Sequence, residues 1–373
     1  MIAPCNKNNR GETMSPFKQW AACAALVVLG SHAAPSFAQA SCDRACLRST
    51  LDSYLEAVIK KDPSKAPLAI GVRQTVNAIN FATGNNVWQT VTALGDLQRK
   101  YVDAVTGQAG FYGTLKEGDA TAIVTIRLRV ENRKITEAEW YVARENDPGM
   151  GGPRREGGPP ANNFNPEYLT ANPPPQRVVP ANQRVDRATL IRITDSYFDA
   201  ITSHDHTVGL VHDGCARAEN GSPTPAGAFL PPLARGNRAG GPPPGAAPAP
   251  ARAAGAGARG APPGPGGGGC LSGIENFNAA LVAARRIPLV DEEAQMVLAL
   301  GVFIRKPGSP TPRLVSSWWF VIDDAKMKIA YTSMFYPPAD LAVPNWPANS
   351  DGNWPLPANL APAPAPPRQG GPG

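Results

Sequence analysis

A repeat inside this chain constrains its fold more than any other feature of the sequence. Residues 51–77 recur at 194–220 with a constant offset of 143 and no gap. A period this long, far above the roughly 20–50 residues of solenoid repeats, indicates two copies of a whole domain. One fold is therefore used twice, and the positions at which the copies differ are candidates for function. The identical positions are Asp52/Asp195, Ser53/Ser196, Tyr54/Tyr197, Ala57/Ala200, Asp62/Asp205, Gly71/Gly214 and Asn77/Asn220.

The first forty residues have the pattern of an export signal. An apolar stretch at 20–29 follows Lys18, and the small residues Ala38 and Ala40 stand where signal peptidase requires them. The apolar stretch is shorter than the roughly 20 residues that cross a bilayer. We therefore expect cleavage near Ala40 and a secreted or periplasmic chain without a membrane span.

Four cysteines follow position 40: Cys42, Cys46, Cys215 and Cys270. An even number in an exported chain favours disulfides, with three possible pairings. Cys42 and Cys46 are four residues apart at the start of a predicted helix, where Cα atoms lie about 6 Å apart, within disulfide range. We expect Cys42–Cys46 and Cys215–Cys270 disulfides, with a zinc site formed by the two cysteine pairs as the alternative.

Composition divides the chain into folded and unfolded parts. Proline and glycine crowd into 147–187, 222–269 and 337–373, which contain few large apolar residues. These segments are predicted to be a linker, a disordered insert and a tail. Two domains then remain, at 41–146 and at 188–336 with its insert, and each is large enough for one small core.

The charge of the chain gives no indication of a nucleic-acid partner. The formal net charge is +6, and the insert alone carries four arginines (235, 238, 252 and 259) with no acidic residue. The folded parts are therefore close to neutral, and no basic stripe forms.

Each half is predicted to begin with a helix and to continue with strands. Apolar residues recur at helical spacing over 47–58 and again over 191–201. Helices followed by antiparallel strands predict an α+β fold, with the helices packed on one face of a curved sheet. The predicted strands are 108–115, 120–130 and 135–142 in the first half, and 290–304, 313–322 and 328–335 in the second.

This order of elements resembles the NTF2-like, SnoaL-like cone fold of ketosteroid isomerases, and the whole chain resembles a secreted, SnoaL-like family with two copies and no known function. The resemblance covers both halves and implies two tandem NTF2-like cone domains. Enzymes of several classes and non-catalytic binders share that fold, so function depends on the site. The matching phrases are CDRACL (42–47), GQAGFYG (107–113), RLRVENRKITEAEWYVAR (127–144), AENG (218–221) and RRIPLVDEE (285–293).

The resemblance also implies candidate catalytic residues. Ketosteroid isomerases place an oxyanion-binding tyrosine on the first helix, an aspartate eight residues later, and a general-base carboxylate about two dozen residues after the tyrosine. Both copies have the first spacing, as Tyr54/Asp62 and Tyr197/Asp205. Glu219 follows Tyr197 by 22 residues and is the candidate base.

The first copy lacks the candidate bases. Val76 occupies the place of Glu219, and Ala69 occupies the place of His212, which is the second candidate base. Any chemistry is therefore expected in the second copy, with Tyr197 as a hydrogen-bond donor to an oxyanion. A structural alternative stays open for each residue: a core tyrosine, a surface glutamate before a turn, and a loop histidine.

No cofactor and no metal are expected. The histidines at 204, 206 and 212 alternate with Asp205 and Asp213, but these are ordinary residues for a solvated helix end. A phosphate-binding glycine loop, a G-x-S-x-G motif and an H-E-x-x-H motif are absent from the sequence. Arg285 and Arg286 are expected partners of the three adjacent carboxylates at 291–293, and Asp291 has a counterpart in Asp103, which favours a structural ion pair.

Two functions follow from these features. In the first, the second domain holds a small apolar pocket in which Tyr197, Glu219 and His212 perform cofactor-free isomerisation, dehydration, elimination or hydrolysis on a small hydrophobic or aromatic molecule. In the second, the protein is a non-catalytic ligand-binding or interaction module of the cell envelope. In both, the first copy packs against or tethers the second copy as a structural partner.

Overall fold

A computed structural model describes residues 42–150, 162–224, 269–277, 279–306 and 313–337, with a few isolated positions between them. The predicted signal, almost all of the predicted insert and the predicted tail lie outside these residues. The described residues from Cys42 onward belong to one compact unit. Within the described part, no helix has the length and apolar character that crossing a bilayer would require.

The first domain consists of one long helix, a short helix and six strands. Helix α1 begins after Asp43, whose carboxylate accepts a hydrogen bond from the backbone N–H of Cys46 and so caps the helix. Its apolar face packs against the sheet. The elements are α1 (Arg44–Ile59), β1 (Leu68–Val76), β2 (Ile79–Asn80), α2 (Val87–Thr90), β3 (Ala93–Asp103), β4 (Gln108–Glu117), β5 (Ala120–Glu131) and β6 (Lys134–Arg144).

The second domain repeats this order of one long helix and six strands, after a short helix in the linker, α3 (Pro166–Ala171). Its first helix and first two strands begin 143 residues after those of the first domain, which confirms the repeat. The elements are α4 (Arg187–Ser203), β7 (Val211–Glu219), β8 (Ser222–Pro223), β9 (Ala279–Asp291), β10 (Met296–Arg305), β11 (Arg313–Asp323) and β12 (Lys326–Phe335).

The strands form two six-stranded sheets of the same topology. Their orders are β2-β1-β6-β5-β4-β3 and β8-β7-β12-β11-β10-β9. The predicted two-domain α+β arrangement is therefore confirmed, but the sheets are mixed, because β1 runs parallel to β6 and β7 runs parallel to β12. The predicted strand at 290–304 is two strands, since residues 292–295 form a turn between β9 and β10.

The identical positions of the repeat have matching structural roles. Asp62 and Asp205 each cap a short 3₁₀ turn by accepting a hydrogen bond from the N–H two residues later. Asn77 bonds through its side chain to both backbone groups of Val142, and Asn220 does the same with Met334. Structure therefore accounts for these aspartates and asparagines without a catalytic role.

The two sheets pack against each other with reciprocal contacts. Arg44, at the start of α1, pairs with Asp291 of the second domain at 2.9 Å, and Arg187, at the start of α4, pairs with Asp103 of the first domain at 2.7 Å. Each aspartate also accepts a backbone N–H from the opposite domain. Arg44 and Arg187 are equivalent positions of the repeat, so the interface has the twofold character of a homodimer interface.

The expected partners of Asp291 are corrected by this arrangement. Arg285 instead pairs with Asp195 and Asp199 of α4, and Arg286 pairs with Glu139 of the first domain. The prediction that Asp291 is structural holds, because its side chain is fully buried and ion-paired.

The interface should weaken in acid because of Asp103. Burial alone would raise the pKa of Asp103, but hydrogen bonds from Arg187, the N–H of Val290 and Thr106 hold it below the usual value. A lowered folded pKa contributes stability above the unfolded value of about 3.9, and that stability is lost as the pH falls through the folded pKa. Urea unfolding from pH 7 to pH 3 should show a smaller pH slope for Asp103→Asn than for the natural protein.

The control for this measurement is Asp119→Asn, in the exposed turn between β4 and β5. It should leave the slope unchanged. If Asp103→Asn also left the slope unchanged, Asp103 would not be a source of the acid sensitivity.

Part of the predicted linker is bound to both domains. We call residues 172–186 the strap. Its Gln176 side chain bonds to the N–H and the carbonyl of Lys100 on the edge of β3, and the N–H of Val179 donates to the carbonyl of Glu293. The strap thus covers the β3 edge and connects the first sheet to the β9–β10 turn.

Both expected disulfides, Cys42–Cys46 and Cys215–Cys270, are formed. The second joins β7 to the short turn Gly269–Leu271, on the far side of the insert. A Cβ at Gly269 would lie 2.2 Å from the carbonyl oxygen of Cys215, so only glycine permits this approach.

Candidate functional site

Helix α4 places Tyr197 inside the core of the second domain. The side chain has no exposed surface and packs against Trp318 and Phe320. Its hydroxyl oxygen accepts a hydrogen bond from Nη1 of Arg217 at 3.3 Å. Burial raises the pKa of Tyr197, although Arg217 partly opposes this rise.

Arg217 connects Tyr197 to Glu219. Residues 217 and 219 are two apart on β7 and therefore share a face of the strand. Nε of Arg217 lies 3.0 Å from Oε1 of Glu219, and the two side chains are 3% and 13% exposed. Oε2 of Glu219 accepts a hydrogen bond from Asn163 at 3.3 Å. Burial alone would lower the pKa of Arg217, but the neighbouring Glu219 carboxylate outweighs it and raises the pKa.

The first domain has a neutral network at the same place. Gln74, the counterpart of Arg217, accepts hydrogen bonds from Tyr54 at 3.1 Å and from Trp88 at 3.0 Å. Trp140 in turn donates to the hydroxyl of Tyr54. Burial raises the pKa of Tyr54, and every group in this network is uncharged. The two copies therefore differ at this position by one buried ion pair.

Glu219 lines a cavity too small for the expected substrates. The volume is about 70 Å³. That is less than half of the roughly 150 Å³ known to hold benzene in an engineered protein cavity. The cavity suits a few waters, not an aromatic molecule. Its lining residues are Met150, Asn162, Asn163, Glu219, Asn220, Met334 and Tyr336.

His212 lies in a different and larger cleft. The cleft has a volume of about 520 Å³ and shares no lining residue with the small cavity. His212 and Glu219 lie towards opposite ends of β7, where Val211 pairs with Met327 and Glu219 with Thr332 of β12, and these two partners are five residues of strand, about 17 Å, apart. The cleft is lined by Arg177, Val178, Val179, Pro180, Gln183, His212, Asp213, Gly214, Cys215, Gln295, Ile322, Asp323, Asp324 and Lys328.

The hydrogen bond of His212 assigns its tautomer when the ring is neutral. Nε2 lies 2.8 Å from the carbonyl oxygen of Asp323. A carbonyl oxygen only accepts hydrogen bonds, so Nε2 carries the proton and Nδ1 keeps its lone pair. In that tautomer Nδ1 of His212 has the lone pair of a hydrogen-bond acceptor, and the residue lines the cleft.

The positive groups of the cleft are already paired, but two of its carboxylates are not. Arg177 and Lys328 both bind Asp323, at 2.6 and 3.1 Å. Burial alone would raise the pKa of Asp323, but hydrogen bonds from these two cations lower it. Within the described part of the chain, Asp213 and Asp324 have neither a salt bridge nor a side-chain hydrogen bond. These two carboxylates are therefore left as acceptors for a ligand.

The sequence-predicted residues thus occupy two places. Tyr197 and Glu219 are joined through Arg217, whereas His212 lies in the cleft. Sequence reasoning missed Arg217, which the Gln74/Arg217 difference between the copies could have revealed. It also missed the wall that the strap contributes to the cleft, because proline-rich sequence gave no signal for it. Within the described residues, no group of three or more His, Cys, Asp or Glu side chains is arranged to hold a metal ion.

Comparison with known proteins finds a family match for the second domain. A family described as a domain of unknown function, DUF8021, matches residues 183–334. No curated protein matches the chain. Among solved structures, the chain is similar to a protein of unknown function with a cystatin-like fold from Methylobium petroleophilum PM1. The two share 15% identity over 31% of this chain and 83% of that one, with a TM-score of 0.24.

Proposed function

We propose that the second domain is a binding module for a small polar molecule, which it holds in the cleft around His212. The observation that carries this proposal is the 520 Å³ cleft with a histidine nitrogen as an acceptor beside two unpaired carboxylates. Ligand pockets for small molecules commonly have volumes of about 300–1,000 Å³. The 70 Å³ cavity at Glu219 is well below that range.

The chemistry of the cleft favours a ligand that donates hydrogen bonds. Asp213, Asp324 and Nδ1 of His212 are all acceptors, and Asp323 neutralises part of the positive charge of Arg177 and Lys328. A small amine, amidine or amide matches these groups better than the hydrophobic or aromatic molecule expected from the sequence. Val178, Val179 and Ile322 give the same cleft an apolar wall for a short alkyl part.

The arrangement of the other two predicted residues supports binding over catalysis. Tyr197 is sealed in the core and lines neither cavity, and Glu219 is held by Arg217. General acid–base catalysis needs the base within hydrogen-bond reach of the proton that it removes. Glu219 and Tyr197 do not reach the cleft ligand from these positions.

Acid–base catalysis is the second candidate, and one observation favours it. Because Nε2 of a neutral His212 donates to a backbone carbonyl, Nδ1 keeps the lone pair that a general base needs, and His212 lines the cleft that would hold the ligand. In this version His212 removes a proton from the bound molecule. Tyr197 and Glu219 then act only by fixing the structure of β7.

The setting of this module is part of the proposal. The helix-first order, with the first strand of each sheet parallel to the last, supports two NTF2-like cone domains of the SnoaL-like type. The signal-like pattern at 1–40 and the two disulfides support export to the periplasm or beyond. The first domain then serves as a structural partner.

Substitution of His212 tests the binding site. Small amines, amides and carboxylates are screened against the full chain by calorimetry, and the tightest binder is used as the probe. His212→Ala should weaken its binding at least about tenfold, because the loss of one charge-assisted or neutral acceptor costs about 1–2 kcal/mol.

His204→Ala is the matched control, since Nδ1 of His204 also contacts a backbone carbonyl, that of Ile274, and His204 does not line the cleft. The control should bind the probe as the natural protein does. Equal losses in both variants, or a preference for carboxylates in the screen, would refute the site. Conversion of the probe, followed by NMR, would identify the catalytic version.

A further inference from the structure

We propose that the sheet faces of the two domains are specific for each other, so that the first domain pairs with the second, in the same chain or in another copy, and neither pairs with itself. The reciprocal ion pairs through Arg44 and Arg187 would form equally well between two like domains, so they carry no such preference. The two domains are related by an approximate twofold axis, and the preference comes from contacts that this axis does not repeat with the roles of the two domains exchanged.

The first one-way contact is steric. Trp319 of the second domain lies over Gly110 of the first, and a Cβ at position 110 would lie 2.5 Å from Cη2 of Trp319. The indole ring also packs against Tyr101, with centroids 4.9 Å apart. Trp319 has no exposed surface, so its indole ring fills a hollow that exists because Gly110 has no side chain.

The second domain has no such hollow. Gly110 pairs with Tyr101 and Arg127 on its neighbouring strands, and Leu298 occupies the same register, paired with Leu289 and Trp319. In a pair of second domains, the indole of each would meet Leu298 of the other, where even a Cβ has no room. Such overpacking is destabilising.

The first domain has no residue that fills its own hollow. Arg127 occupies the register of Trp319, since it pairs with Gly110 and Glu139 as Trp319 pairs with Leu298 and Tyr331. Its guanidinium is held within its own domain by Glu137 and Glu139. A pair of first domains would therefore leave the space over each Gly110 unfilled, and Tyr101 without its aromatic partner.

The second one-way contact is electrostatic. Arg286 of the second domain lies 2.7 Å from Glu139 of the first and is 12% exposed. In the second domain Tyr331 stands in place of Glu139, so a pair of second domains would bury Arg286 without a carboxylate. Both one-way contacts run from the second domain to the first. The steric contact opposes both kinds of like pair, and the electrostatic contact opposes pairs of second domains.

The test uses the full chain with a protease site placed between residues 153 and 161. After cleavage, the protein is unfolded in urea and refolded, and native mass spectrometry records which fragments pair. We expect pairs of unlike fragments almost exclusively. Like pairs in the proportions of random association would overturn the proposal.

Three variants separate the sheet contact from the strap, which also joins the fragments. Gly110→Leu should raise the dissociation constant of the unlike pair at least about tenfold, because leucine closes the hollow. Trp319→Ala should weaken the pair as well. Since the alanine frees the space that the leucine occupies, the double variant should bind more tightly than Gly110→Leu alone.

If the fragments fail to refold, the same cycle is measured on the uncut chain. The urea midpoint of Gly110→Leu/Trp319→Ala should then exceed that of Gly110→Leu. Additive losses in the double variant, in either format, would show that Trp319 and Gly110 are not a matched contact and would refute the inference.

Discussion

Replacing Arg127 with methionine should destabilise the protein by about 3–5 kcal/mol, because it leaves carboxylates buried without their cation. The Arg127 guanidinium pairs with Glu137 and, at 2.5 Å, with Glu139, and all three side chains are at most 6% exposed. Burial alone would raise the pKa of Glu139, but the charges of Arg127 and Arg286 hold it below its usual value. Urea unfolding at neutral pH measures the loss.

The control is Arg129→Met on the same strand. Arg129 pairs with Glu131 at 2.7 Å, but these side chains are 30% and 40% exposed. An exposed pair contributes only about 0–1 kcal/mol, so this variant should stay close to the natural stability. A similar loss in both variants would mean that burial of the pair does not matter.

A compensating variant checks the cause of the loss. When Glu137→Gln is added to Arg127→Met, the charges that remain in this cluster are Glu139 and Arg286, which form a pair at 2.7 Å. The double variant should therefore be more stable than Arg127→Met by at least about 1 kcal/mol. No recovery would indicate that the methionine acts through packing rather than charge.

The repeat made part of the fold predictable and left part of it hidden. An ungapped offset of 143 predicted equivalent helices, and α1 and α4 begin at Arg44 and Arg187 as that offset requires. Strand β3 and all but the last two residues of β9 were not predicted. The side chains of β3 are buried irregularly, and its end contacts the second domain, so no alternation of apolar and polar residues appears in the sequence.

The candidate site was predictable only in part, for a geometric reason. His212 and Glu219 are seven residues apart in the sequence, but they lie towards opposite ends of strand β7 and line different cavities, and no strand was predicted at 211–219. Tyr54 and Tyr197 show that a residue shared by the two copies is not thereby a site residue. Both are buried and bonded to the residue twenty positions later, Gln74 or Arg217, so the shared tyrosine maintains the fold while its partner varies.

The difference between the two copies also bears on where a ligand binds. The counterpart of His212 is Ala69, and the counterpart of Asp213 is Ile70, which is fully exposed. The first domain therefore lacks the acceptors that the second presents. The first domain keeps the fold but has no such acceptors, as expected of a structural partner.

Removing the Cys215–Cys270 disulfide should destabilise the protein more than removing Cys42–Cys46. The two bridges close sequence separations of 55 and 4 residues. In the chain-entropy account, closing these loops lowers the entropy of the unfolded chain, which raises its free energy by about 4 and about 2 kcal/mol at 25 °C. The paired variants Cys215→Ala/Cys270→Ala and Cys42→Ala/Cys46→Ala should therefore differ by about 2 kcal/mol in urea unfolding.

Packing adds to this difference and connects it to the cleft. Cys215 and Cys270 are 4% and 5% exposed, and the sulfur of Cys215 also accepts the backbone N–H of Cys270 at 2.9 Å. Cys215 lines the cleft three residues after His212, so its loss should also weaken binding of the amine or amide probe. The Cys42–Cys46 variant, in the first turn of α1, should leave probe binding unchanged. Equal destabilisation by the two variants would contradict the entropic argument. Unchanged probe binding in the Cys215→Ala/Cys270→Ala variant would show that the disulfide does not hold β7 in its binding position.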